Sequence, residues 1–135
     1  MGEGKAIRLH LVHRWPDAML HSATQDGLIV ANENGVLVWC NRAAHTLLGG
    51  VRLGAAISDY SALHRLFTLE GRPYPSDDLP LARAILHGES CEAVTLKVRA
   101  PDGCWTTLMA AAHPLGSRRS PKGAIVLFRA MAEVP

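Results

Sequence analysis

No apolar run approaches the roughly 20 residues that a membrane-spanning helix needs, so no span is expected in this chain. The opening stretch, MGEGKAIRLHLVHRW, is interrupted by charge and lacks the unbroken apolar core of a secretion signal. Cysteine is scarce: Cys40, Cys91 and Cys104 are the three in 135 residues. They form no Cys-x-x-Cys and no Cys/His cluster at zinc-like spacing. With Asp102-Gly103 read as a hairpin turn, Arg99 falls roughly opposite Cys104 and Cys91 lies far from it. Three free thiols and a reducing, cytosolic setting are therefore expected. Charge of one sign is also lacking. The net value of +2 is too small to argue for a nucleic-acid partner. The one pair of basic residues, Arg118-Arg119, sits in the turn SRRSPKG and reads as a solvated loop. Internal repeats and low-complexity segments are absent.

Catalytic signatures are missing as well. There is no Gly-x-Ser-x-Gly, no Walker-type loop and no His-Glu-x-x-His. None of the seven His residues has a partner at a telling spacing. Gly49-Gly50-x-x-x-Gly54 follows a helix rather than a strand, so it is not a dinucleotide fingerprint. Asp77-Asp78 opens a helix, where paired acids act as N-terminal caps. No phosphoacceptor box or nucleotide motif is present. An independent enzyme is not expected, and neither a catalytic residue nor a metal ligand set can be nominated.

What is present is enough apolar sequence, 48%, for one well-filled domain. The clearest stretch is 26–49, DGLIVANENGVLVWCNRAAHTLLG. A β-rich run over 28–32 meets a turn at Glu33-Asn34-Gly35, where Asn and Gly tolerate positive φ cheaply. A second run covers 36–40. Asn41 is placed to cap a helix over 42–48, and Gly49 to close it. Beyond Gly50 the pattern is irregular, with short helical turns over 55–60 and 61–67. A loop over 70–75 leads to a helix over 78–87, with Pro80 in its first turn and Gly88 at its end. Three strands follow. The first, 92–99, alternates Val94, Leu96 and Val98 against Thr95, Lys97 and Arg99. The second runs over 104–113 and is broken by Pro114; the third covers 122–131. These elements give an α+β domain: a five-stranded antiparallel sheet, with helices inserted between strands two and three covering one face.

This arrangement resembles the PAS family. The resemblance is carried by Asp26-Gly27, the Asn-Gly-type turn, Asn41-Arg42-Ala43-Ala44 and Leu47-Leu48-Gly49. It continues through Gly71-Arg72-Pro73-Tyr74-Pro75, the run from Asp77 to Ala84, Gly88-Glu89, Asp102-Gly103, Pro114-Leu115 and the run from Gly123 to Arg129. It spans a domain at 15–133, preceded by an N-terminal segment at 1–14. The resemblance implies a sensory domain of a signal-transduction protein, of the histidine-kinase or regulator type. Such a domain binds a small, mostly apolar ligand or a partner and alters its helical cap or dimer interface. The alternative is a ligand-free scaffold that only dimerises or docks.

Alternation, anchored by the resemblance, turns Ile29, Ala31, Leu96, Val98, Leu108, Ala110, Ala112, Val126 and Phe128 inward as pocket candidates. Ala31, Ala110, Ala112 and Ala124 are small where a ligand would need room, or where Trp39, Trp105 or a helix packs closer. The apolar wall suits a small apolar or aromatic ligand better than a charged one. Flavin is not expected: Trp39-Cys40-Asn41-Arg42 resembles a photoactive flavin motif in letters but lies at a strand-to-helix junction. Haem is not expected either; His87 and His64 would be its candidate ligands. The opposite sheet face offers Met109, Ala111, Ile125 and Leu127 as a dimer surface, or as a seat for the chain's own N-terminal segment. Within that segment, 6–13 reads as a strand or as a helical stripe of Ile7, Leu11 and Trp15, an element expected at a homodimer contact. Pro16 fits the first turn of a helix over 17–23. Relaying PAS domains end in Asp-Ile/Val-Thr, whereas this chain reads Ala130-Met131-Ala132. It stops at Pro135, so it is expected to be either a fragment cut from its effector or a stand-alone domain.

Overall fold

The computed structural model describes residues 26–131. The expectations for 1–14, for 17–23, for Ile7 and Leu11, and for the chain beyond Met131 lie outside the described residues. Two strands open the fold, β1 (Gly27–Ala31) and β2 (Leu37–Cys40). Their turn rests on Asn32, whose side-chain oxygen accepts the N–H groups of Asn34 and Val36, both at 3.0 Å. Gly35, at φ 80°, is the turn residue that takes the left-handed conformation; Asn34 does not. A bulge between Val30 and Ala31 sets Val30 opposite Trp39 and Ala31 opposite Leu37. Val38 is skipped and stands 49% exposed.

Asn41 follows at once and caps α1 (Arg42–Leu48), accepting the Ala44 N–H at 2.9 Å. The same oxygen accepts the Leu28 N–H at 3.0 Å, and the amide nitrogen donates to the Asp26 carbonyl at 2.9 Å. One side chain thus fixes the start of the helix to the start of the sheet. Gly49 ends α1 at φ 70°. A short 3-10 turn (Ile57–Asp59) leads into α2 (Tyr60–His64), then β3 (Leu66–Phe67), a second 3-10 turn (Ser76–Asp78) and α3 (Pro80–His87). Pro80 occupies the first turn of α3, where its missing N–H costs nothing, and Gly88 closes that helix at φ 65°. The long strands β4 (Cys91–Arg99), β5 (Trp105–Gly116) and β6 (Pro121–Ala130) follow.

The sheet order is β2-β1-β6-β5-β4-β3, with every pairing antiparallel. Among the described residues the sheet has six strands, one more than the expected five. The addition is β3, which reads in sequence as the end of a helical turn. Two residues are too few to show a period, and it is pairing with Val98 and Lys97 that makes them a strand. Pro114 does not break β5 either. It stands opposite Ala124 on β6, while β4 reaches only as far as Ala112. A proline beyond the end of a neighbouring strand sits in an edge-like place and is tolerated there.

Two apolar clusters divide along the sheet. The larger joins inward residues of β1, β4, β5 and β6 to Ala44 and Leu48 of α1, Tyr60 of α2, and Leu81, Ala82 and Ala84 of α3. The smaller, on the other face, consists of Val30, Ala111, Leu115, Ile125 and Leu127, with Leu28 and Trp39 packed against it.

Candidate functional site

A cavity of about 70 Å³ lies between the inner sheet face and the helices. Ile29, Leu96, Leu108, Ala110, Val126 and Phe128, all nominated from the sequence, line it from the sheet. Ala31, Val98 and Ala112 are buried in the same core but do not border the cavity. Where Ala112 and Ala124 leave room, α3 comes down onto β5 and β6, with its own Ala82 and Ala84 buried. These small residues therefore serve close packing, while Ala110 borders the space.

The lining missed by sequence reasoning comes mostly from the cap, with Leu48, Tyr60, Leu79, Pro80 and Leu81, and otherwise from the short strands β2 and β3, with Leu37 and Leu66; His64, expected only as a haem candidate, also borders it. Most of these stand in short, irregular pieces with no period to read. The weak signal available was an apolar or aromatic residue at nearly every such turn.

Two polar side chains reach this lining, and both are committed. The Tyr60 hydroxyl donates to the Gly35 carbonyl, bracing the β1–β2 turn. Burial pushes that phenol above its usual range. His64 is 2% exposed. Its Nδ1–H donates to the Tyr60 carbonyl at 2.7 Å, and its Nε2 accepts the Arg52 N–H at 3.1 Å. Burial holds the imidazole below the ordinary histidine value. The bond to Tyr60 opposes this, while the Arg65 and Arg52 charges add to it. With both nitrogens engaged, His64 has none to give to a metal. His87, the other haem candidate, is exposed and off the cavity. Cys40 is also off it; its sulfur lies 3.2 Å from His45 Nε2. Neither haem nor a flavin ring fits so small a volume. Among the described residues no group of three His, Cys, Asp or Glu is placed to hold a metal.

The cavity wall is otherwise carbon, so a charged guest would be left without partners. An engineered apolar cavity of ~150 Å³ takes up benzene or xenon. About half that volume suits an uncharged guest of a few non-hydrogen atoms.

Of the nominated outer-face residues, Ala111, Ile125 and Leu127 are buried and Met109 is half-buried. The helical residues found in an apolar cluster all belong to the inner one, and no described helix contributes to the outer cluster. Just before β1, Asp26 is buried and pairs with Arg129 of β6 at 2.9 Å. Burial outweighs that cation and leaves the carboxyl above its usual range.

No protein-family model and no curated protein matches this chain. Solved structures do. The PAS domain of a protein from Colwellia psychrerythraea is 17% identical, at a TM-score of 0.53, over 78% of this chain and 86% of that one. This chain has the PAS fold. The LOV domain of a blue-light activated histidine kinase from Erythrobacter litoralis is 18% identical, at a TM-score of 0.56, over 79% of this chain and 96% of that one. The VqmA dimer of Vibrio cholerae is 18% identical, at a TM-score of 0.55, over 87% of this chain and 52% of that one. VqmA has also been solved bound to DPO. Among the described residues no helix is long and apolar enough to cross a membrane.

Proposed function

We propose that this PAS-fold domain is the non-catalytic sensory part of a cytosolic signalling protein, of the histidine-kinase or regulator type. Its input is a small, uncharged, mostly apolar ligand held between the sheet and the helices. Its output is a change in the helical cap or in a dimer contact. The observation that carries this reading is the carbon-lined cavity of about 70 Å³, whose polar neighbours Tyr60 and His64 are already bonded. Solved PAS-fold structures that include the LOV domain of a blue-light activated histidine kinase, and the VqmA dimer, also solved bound to DPO, support it as company, not as identity.

A second reading, a ligand-free scaffold that dimerises or docks, is favoured by the half-buried apolar rim of the outer face, Leu28, Trp39 and Met109, around a cluster that is itself buried. A second copy would first meet Met109 and Trp39, both half-buried on that face.

Native mass spectrometry separates the two. A small neutral adduct on the wild type, absent from Ala110→Leu, whose longer side chain fills the cavity, supports the sensor. An empty domain in both proteins, with a dimer that Met109→Glu dissociates, supports the scaffold.

A further inference from the structure

The segment 49–55 runs as a strap from the end of α1 to the first 3-10 turn, beside the cavity. Its glycines take backbone angles open to few other residues, while Val51 and Ala55 are buried in the inner core and anchor it. Gly49, Gly50 and Gly54 all take positive φ, and a side chain at Gly50 or Gly54 would meet nothing. The strap is held by few bonds. At one end the Gly50 N–H donates to the His45 carbonyl at 2.8 Å. At the other, Gly54 N–H donates to the Leu37 carbonyl at 2.8 Å, and Leu37 N–H donates to the Ala55 carbonyl at 3.0 Å. In the middle, two consecutive N–H groups go to two imidazoles. Val51 donates to His45 Nδ1 at 3.0 Å, and Arg52 to His64 Nε2 at 3.1 Å.

An imidazole nitrogen accepts a hydrogen bond only while it carries no proton. At His64 the choice is fixed, because Nδ1 already spends its proton on the Tyr60 carbonyl. Nε2 is therefore the one nitrogen left to take another proton, and it is the one that holds Arg52. Protonated, it would turn an N–H toward an N–H and place a positive charge against the cavity. The groups facing it offer no compensation. Arg52 on the strap and Arg65 at the end of α2 are cations, and the Tyr60 hydroxyl is bonded to Gly35. From β2, α1 and β3 the cavity receives Leu37, Leu48 and Leu66.

We propose that His64 is a proton-operated latch: its neutral ring holds the 49–55 strap at Arg52, and its protonation releases the strap beside the cavity. Leu37, Leu48 and His64 line the cavity and are also points between which the strap is hung, so release loosens that wall. The buried ring gives up its neutral form only below the ordinary histidine value. The unfolded chain therefore binds the proton more readily than the folded one. The closed state is favoured at and above neutral pH and weakens as the pH falls through the mildly acid range.

Proton-operated release is tested by nitrogen-resolved NMR of the whole chain from pH 8 to pH 5. The His64 ring nitrogens report tautomer and protonation. Amide protection factors, corrected for intrinsic pH dependence, report the strap. Protection of Arg52 is expected to fall roughly tenfold in step with His64 protonation, while core strand amides such as Ile125 stay protected. His64→Gln, whose side-chain oxygen accepts but does not titrate, is expected to keep Arg52 protected across the range. Three results would overturn the latch: His64 protonates and Arg52 stays protected; Arg52 and Ile125 open together; or His64→Gln shows the same pH dependence as the wild type.

Discussion

On strand β6, Ile125 and Val126 are neighbours in the chain and face opposite ways. Ile125 has no exposed surface and sits among Val30, Ala111, Leu115 and Leu127. Val126 borders a cavity that the cap leaves unfilled. One face is thus closed by branched side chains in contact. On the other, short helices meet a curved sheet and enclose space. The difference teaches where a ligand can enter without a penalty for displaced packing. A cavity lined almost wholly by carbon offers a guest contacts that its lining atoms lack. The outer cluster has no such vacancy and can change only by exchanging what shields it.

Breaking the sheet should damage both faces at once and give the largest effect. Gly123 takes φ 109°, and a Cβ there would stand 2.0 Å from the Ala31 carbonyl oxygen. Gly123→Ala is expected to cost about 3 kcal/mol or more in urea unfolding, because neither the backbone angle nor the β1–β6 approach can accommodate it. Next come the paired truncations that sharpen the contrast. Ile125→Ala should cost about 3 kcal/mol, and Val126→Ala about half of that, since it enlarges a space already present. Equal losses at the two positions would mean that the faces are packed alike. The smallest effect belongs to the start of β1. Burial raises the Asp26 carboxyl above its usual range despite Arg129, so the neutral form is favoured in the fold. Its contribution to stability is present at low pH and is lost as the pH rises through the carboxylate range. Asp26→Asn should remove that part of the slope in denaturation midpoints measured between pH 3 and pH 7.

How far the sequence could be read follows from how local each signal was. Asn41 was legible as a cap because capping is decided within four residues. Its bonds to Leu28 and Asp26 depend on a strand returning beside it and were not. The strict alternation of 94–99 marked β4 and its inward face. The skipped Val38 left no mark, since a bulge shifts faces without changing composition. The Asp26-Gly27 pair served as a family token. Its physical reason appears only in three dimensions, where a Cβ at Gly27 would lie 2.5 Å from the Phe128 ring. Six cavity residues were found on the sheet because strands have a period of two. The cap half of the cavity escaped because α2 and its neighbours are too short to have any period.

Methyl-resolved spectra of Ile-, Leu- and Val-labelled protein under rising xenon pressure show whether the inner face holds fillable space and the outer face does not. Xenon is apolar, small and uncharged, and needs only unfilled space. Saturating shifts are predicted for the methyls of Ile29, Leu96, Leu108 and Val126, with Val30, Ile125 and Leu127 unmoved. No saturating shift at all, or equal shifts on the two faces, would contradict an interior built to hold a small apolar guest.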